Sequence, residues 1–251
     1  GIFESLNLIA PRIQGGGSSE NLGEDHGVYD FLRARGVGTA QAKQFSENVP
    51  TYWGSQPILE APAYVGISVF FFAILALAFV KGPIRIALGV GIGFSLLLSW
   101  GKNLSFLTQF FIDFVPFYNK FRAVSSIQVI LESCLPVLAA LGLHWALKNL
   151  KAFNTKRFIK VALIPIALLG VLMLAQGMLS FSGPNDGYFQ EIYGAELVSQ
   201  ILEARKSIYQ ADLLRGILIC FSLLVILLAF KYNKIKKNNQ YGSNINFMKL
   251  F

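Results

Sequence analysis

The segment Pro116–Glu132, PFYNKFRAVSSIQVILE, concentrates the residues of this chain best suited to chemistry. Lys120 and Arg122 come just before Ser125. Ser125-x-x-Gln128 has the form of a capping box, so a helix is expected to start there. A helix N-terminus offers unpaired N–H groups and partial positive charge. Two cations beside it make a phosphate site, with Lys120, Arg122 and Ser125 as its donors. The same cations serve equally well as anchors whose charged heads reach lipid head groups. Tyr118 and Phe121 stand next to them and can hold a lipid or a sugar. Gln128 and Glu132 are one turn apart and share a face, with Glu132 about 9 Å beyond the cap. If that helix enters a membrane, the Glu132 carboxyl has to face protein or a wet cavity. There it either recognises polar groups and handles protons, or makes a structural bond between helices.

A second polar group comprises Arg205, Lys206, Asp212 and Arg215. Asp212 and Arg215 are three residues apart and can pair along a helix. The group is read either as a binding surface or as interface anchoring with a local ion pair. Glu24, Asp25, His26 and Asp30 hold one histidine, and consecutive residues point apart, so no metal site is assigned. Cys134 and Cys220 form no CxxC and read as small buried apolar residues. No Ser/His/Asp arrangement, Walker loop or zinc motif occurs. The catalytic residue is therefore left unassigned and no cofactor is identified; a divalent metal is possible but nothing in the sequence supports it.

The elements that must position these residues are apolar and long. The chain has 251 residues, 54% hydrophobic and only 14% charged, which marks a polytopic membrane protein. Ala61–Val80, Ile84–Trp100, Ile127–Leu147, Val161–Phe181 and Leu213–Phe230 are candidate spans, since roughly 20 apolar residues cross a hydrocarbon core of about 30 Å. The connectors alternate in charge. Lys81/Arg85, Lys148–Lys160 and the segment from Lys231 onward hold no Asp or Glu. The segments 1–60, 101–126 and 182–212 hold all the acids except Glu132. Lys/Arg-rich connectors stay cytoplasmic, so residue 1 is placed outside and the C-terminus inside. The net charge of +8 sits largely on these helix ends, which argues against a nucleic-acid partner and for membrane lipids.

The expected fold is all-α: a membrane helix bundle with five spans and two outer amphipathic helices. Residues 1–60 form an extracytoplasmic loop region with short helices at Tyr29–Arg35 and Thr39–Glu47, and Gln14–Ser19 reads as a flexible turn. Residues 61–231 are the transmembrane domain, and 232–251 a cytoplasmic tail. The first amphipathic helix is 102–118, where Lys102, Ser105, Gln109 and Asp113 recur among phenylalanines and should lie flat in the outer interface. The second follows a turn at Asn185-Asp186-Gly187 and carries Leu197, Val198, Ile201, Leu202, Ile208 and Tyr209 straight into the last span.

Several strings resemble the YfhO family of bacterial multi-span proteins. They are Gly1–Glu4 with Leu8–Pro11 and Gly15-Gly16, Tyr52-Trp53-Gly54 with Gln56-Pro57, Lys81-Gly82-Pro83, Leu98–Gly101, Pro116–Ser126 and Glu203–Arg215. YNKFRAVSS and YWGxQP are the specific ones. Ala204 and Gly216 depart from the polar residues expected in the last string. The resemblance implies a GT-C-like glycosyltransferase in the bacterial inner membrane. Such enzymes take a sugar from a polyprenyl-phosphate carrier at the outer face and attach it to a cell-envelope polymer. It also implies that the catalytic carboxylate lies in a first outer loop absent here, making this chain a middle or C-terminal part. Lys120 and Arg122 would then stabilise the phosphate leaving group, and Glu132 would orient a sugar hydroxyl. A non-catalytic lipid or polymer transporter, or an envelope-assembly subunit, would suit the same residues.

Overall fold

The computed structural model describes residues 2–56, 59–120, 124–149 and 152–248. Among them the fold is all-α. The helices are α1 (Gly27–Ala34), α2 (Thr39–Ser46), α3 (Ile67–Phe79), α4 (Pro83–Ser99), α5 (Ser105–Phe114), α6 (Gln128–Lys148), α7 (Thr155–Leu174), α8 (Asp186–Tyr193) and α9 (Ala195–Met248). Glu20 and Val49 form an isolated antiparallel bridge. The chain divides into two compact units, one of residues 1–66 with 169–216, the other of 67–168 with 217–251.

In the first unit, α1 and α2 pack on the start of α9. Val28, Leu32, Ala42 and Val49 meet Leu197, Ile201 and Ala204. His26 caps α1 by accepting from the Val28 N–H at 3.4 Å. The glycine run expected as a flexible turn is buried instead. Gly15 has φ +90°, and a Cβ there would lie 2.0 Å from the Thr51 carbonyl oxygen, so only glycine lets these backbones meet. Thr51 Oγ1 closes the contact by donating to the Gly15 carbonyl at 2.7 Å. Asn185-Asp186-Gly187 is not a free turn but the start of α8, which Gly194 (φ +82°) separates from α9.

In the second unit, α6 buries Leu131, Leu135, Leu138, Ala139, Gly142 and Ala146 and packs against α3 and α4. Gly142 allows the closest approach: a Cβ there would sit 2.0 Å from the Phe72 carbonyl oxygen. Aromatic rings fill one end. Phe79 stacks on Trp145 with centroids 4.4 Å apart, and Phe153 stacks on Phe158 at 4.4 Å. Lys231 Nζ lies 3.9 Å from the Phe153 ring centroid and donates to the Phe153 carbonyl at 2.5 Å.

Among the described residues three helical stretches are long and apolar enough to cross a membrane: Gln128–Lys148, Thr155–Met178 and Ala195–Asn233. A fourth is added if α4 and the bent Gly101–Phe114 segment, at 105° to it, count as one span. Five separate spans are therefore not found. The first expected span shrinks to the 13 residues of α3, about 20 Å of helix and short of a roughly 30 Å core. Residues 61–66 are non-helical, and Gly66 has φ +98°. The fourth expected span begins earlier than Val161. The Asn154 side chain accepts from the Arg157 N–H at 3.1 Å and starts the helix there. The last runs unbroken from the amphipathic stretch, as its periodicity predicts.

Candidate functional site

The residues singled out in Pro116–Glu132 fall in the second unit. Lys120 ends a 3-10 turn, Tyr118–Lys120, and is exposed. Arg122 lies outside the described residues. Ser125 lies in another 3-10 turn, Val124–Ile127, and the α-helix begins only at Gln128. The cap position is Ile127, and no side chain caps it. The helix is therefore not started at Ser125 as the capping-box pattern predicts. Its start is tied to α4 instead: Ser95 Oγ donates to the Ile127 carbonyl at 2.6 Å, and Gln128 Nε2 reaches Ser99 Oγ at 3.4 Å.

Glu132 is exposed rather than turned into protein. The reason is register. The apolar side of α6 presents Leu131, Leu135, Leu138 and Gly142 to its neighbours, and Glu132 lies about 100° round the helix from Leu131. The segment 102–118 contains the expected helix, shortened to α5, with Phe106, Phe110 and Phe114 exposed.

Arg205, Asp212 and Arg215 fall in the first unit and play three different parts. Arg205 is completely buried. Its guanidinium donates to Asp186 Oδ2 at 2.7 Å and to the carbonyls of Phe181 and Pro50, each at 3.0 Å. It is thus a clamp holding three chain segments together, not a surface cation. Phe181 adopts φ +54°, the left-handed region unusual for a large side chain, and its carbonyl meets Arg205 from there. Burial pushes the Asp186 carboxyl up, but Arg205 and the Gly183 N–H outweigh it and hold it below the usual range. Asp212 does not pair with Arg215; its Oδ2 accepts from the Arg12 N–H at 2.9 Å. Arg215 is exposed.

Beside this clamp lies a cleft of about 340 Å³, lined by Phe3, Glu4, Gln14, Trp53, Ser55 and Ser182 among others. Trp53 packs edge-on against Phe181 with centroids 5.6 Å apart, and lies 5.8 Å from Phe3. Its indole N–H is buried without a hydrogen-bond partner. Glu4 organises the loop opposite. Oε1 accepts from the Tyr52 hydroxyl at 2.9 Å and from Ser55 Oγ at 3.2 Å, and Oε2 accepts from Gln56 Nε2 at 3.2 Å. Burial pushes the Tyr52 hydroxyl up, and its bond to the Glu4 carboxylate adds to this, so it stays a donor. Glu4 is thereby committed to the loop, and is not a free base.

An aromatic ring flanked by amide and hydroxyl groups suits a sugar: the ring takes the C–H face and the polar groups take hydroxyls. The residue patterns that direct attention to Lys120 and Glu132 miss this cleft. The available signal is Tyr52-Trp53-Gly54, two large aromatics before a glycine, outside any helical periodicity. Among the described residues no group of three His, Cys, Asp or Glu side chains is placed to hold a metal; His26 caps a helix, and Glu24 pairs with Lys43 at 2.7 Å. Comparison with protein-family models, curated proteins and solved structures finds no match to this chain.

Proposed function

We propose that the chain is part of a YfhO-type, GT-C-like membrane glycosyltransferase that uses a polyprenyl-phosphate-linked sugar to modify a cell-envelope polymer at the outer face of the bacterial inner membrane. The observation that carries the reading is the convergence of two strings behind the resemblance. Phe3-Glu4 and Tyr52-Trp53-Gly54 lie far apart in sequence, yet line or build one cleft with saccharide-compatible chemistry. The charge pattern puts both strings on the outer side. Three long apolar helices support the membrane setting. In this reading Trp53 stacks on a sugar ring within its own unit; Lys120 and Arg122, in the other unit, are proposed separately as contacts for a lipid-linked phosphate through charge-assisted bonds.

The test is sugar transfer by the full-length protein in membrane vesicles supplied with labelled polyprenyl-phosphate sugar. Trp53→Ala should lower transfer at least tenfold, the equivalent of about 1.4 kcal/mol, at unchanged abundance. Trp53→Phe should keep most of it. Lys120→Ala/Arg122→Ala should lower transfer further, with Arg122→Lys rescuing in part, because charge returns without the guanidinium fork. Wild-type transfer by Trp53→Ala would remove the cleft from the mechanism. Wild-type transfer by the double variant would leave both cations as lipid anchors.

A further inference from the structure

The face of α2 turned away from its core has a composition of its own. Gln41 and Gln44 are exposed on α2 and Asn48 in the turn just after it, with Phe45 half-buried against the core beside them, while Ala42 and Ser46 are buried. Together with Tyr193 from the end of α8, they line a hollow of about 390 Å³. Phe45 and Tyr193 meet edge to face with centroids 5.3 Å apart, and the tyrosine remains 40% exposed. Tyr193 also borders a second hollow of about 520 Å³, walled in part by Phe31, Arg35 and Glu196. Two nearby cations are already matched: Arg35 pairs with Glu196, and Lys43 with Glu24.

We propose that this face binds a neutral polysaccharide, laid across both hollows with Tyr193 between them. Under the function proposed above, the polysaccharide is the acceptor polymer, and that clause alone rests on the earlier reading. Three lines lead here. Amide side chains both donate and accept, as sugar hydroxyls do, so Gln41, Gln44 and Asn48 offer the complement of a polyol. Asn48 spends one N–H on the Gln44 carbonyl at 3.1 Å and keeps its oxygen as an acceptor. A lipid chain or an apolar helix would bury these amides without partners, which disfavours both. An anionic ligand would find its nearest cations, Arg35 and Lys43, already paired. Finally, the two hollows share one ring, each falling in the roughly 300–1,000 Å³ range of ligand sites.

The experiment is titration of the full chain in detergent with maltohexaose, cellohexaose and chitohexaose, followed by saturation-transfer NMR. It is run on the wild type and on Trp53→Ala, which removes the cleft's contribution. At least one hexasaccharide should bind saturably in both. Tyr193→Ala should weaken it at least tenfold, Gln41→Ala/Gln44→Ala about fivefold, and Tyr193→Phe less than threefold, the ring being kept. Failure of all three sugars to bind overturns the inference. So does binding that survives Tyr193→Ala and the glutamine double variant, or preference for a sulfated hexasaccharide over every neutral one. Binding by a full-length protein that transfers no sugar keeps the inference and sinks the transferase reading; transfer without binding at this face does the reverse.

Discussion

The two compact units solve the same problem by opposite means. The unit of residues 1–66 and 169–216 is rich in irregular backbone, and its segments are joined by polar groups from far along the chain. Arg205 reaches the Pro50 carbonyl, Asp212 takes the Arg12 N–H, and Thr51 closes on Gly15. The unit of residues 67–168 and 217–251 is built of helices that satisfy their own backbone. It is held mainly by an apolar stripe on α6, a glycine contact at Gly142 and stacked rings, with Lys231 serving the loop carbonyl of Phe153. Their surfaces differ as well. The second unit exposes Ile84, Val90, Val129 and Val137, as a lipid-facing surface does. The first exposes the amides of α2. Loop backbone needs partners from side chains, and helical backbone does not. Charge therefore enters the core only where secondary structure fails to use the peptide groups.

The largest test of this contrast removes the clamp. Arg205→Ala leaves Asp186 buried and unpaired, a loss of about 3–5 kcal/mol. Hydrogen exchange should show protection falling by two or more orders of magnitude in 1–66 and 169–216, with α3 and α6 unaffected. Equal loss in both would show that they fold as one. Acid gives the same unit a pH signature. The folded Asp186 carboxyl titrates below its ordinary value. Its contribution is complete above the unfolded value of about 3.9 and is lost as pH falls through the lower folded one. Exchange at pH 3 should loosen the first unit before the second.

Next in size is packing. Gly142→Leu drives a side chain into the Phe72 carbonyl, and overpacking of this kind costs about 1–3 kcal/mol. Disulfide cross-linking of introduced cysteines across α3 and α6 should slow, while exchange in the first unit holds. An unchanged cross-linking rate would mean the two helices are not pressed together at this point. The smallest effect is expected at Asn154→Ala, which removes the α7 cap for about 1 kcal/mol. It should fray only the first turn of that helix, seen as faster exchange at Arg157 and Phe158.

Helix identity was legible in the sequence wherever a long apolar period or a clean amphipathic stripe ran. The limits of α1, α2 and α6 agree with expectation to within a residue or two, and α9 continues from its amphipathic start as foreseen. Boundaries set by a single side chain were not legible. Asn154 starts α7 several residues early, and Ile127 takes the place assigned to Ser125. The cleft and the clamp were not legible for a related reason. Cations before a helix and an acid within one are visible as local patterns, so Lys120 and Glu132 stood out. The cleft at Trp53 and the clamp at Arg205 join residues with no local relation. Arg205 looked like a surface charge because nothing within a turn of it reveals that the chain 155 residues earlier wraps its guanidinium. The run Gly15–Gly17 misled in the same way: it is rich in glycine for close backbone contact, not for mobility.

That separation of 155 residues between Arg205 and Pro50 also has a consequence in time. At about 5–20 residues per second, a ribosome finishes Arg205 roughly 8–30 s after Pro50. Throughout that interval the Pro50 carbonyl and the glycine run already exist, but the cation that organises them does not. The early segment must wait, wetted or held by other proteins, until the start of the last long helix arrives. A nascent chain stalled before residue 205 should therefore be cut readily by protease within residues 1–60, and a chain stalled well after it should resist.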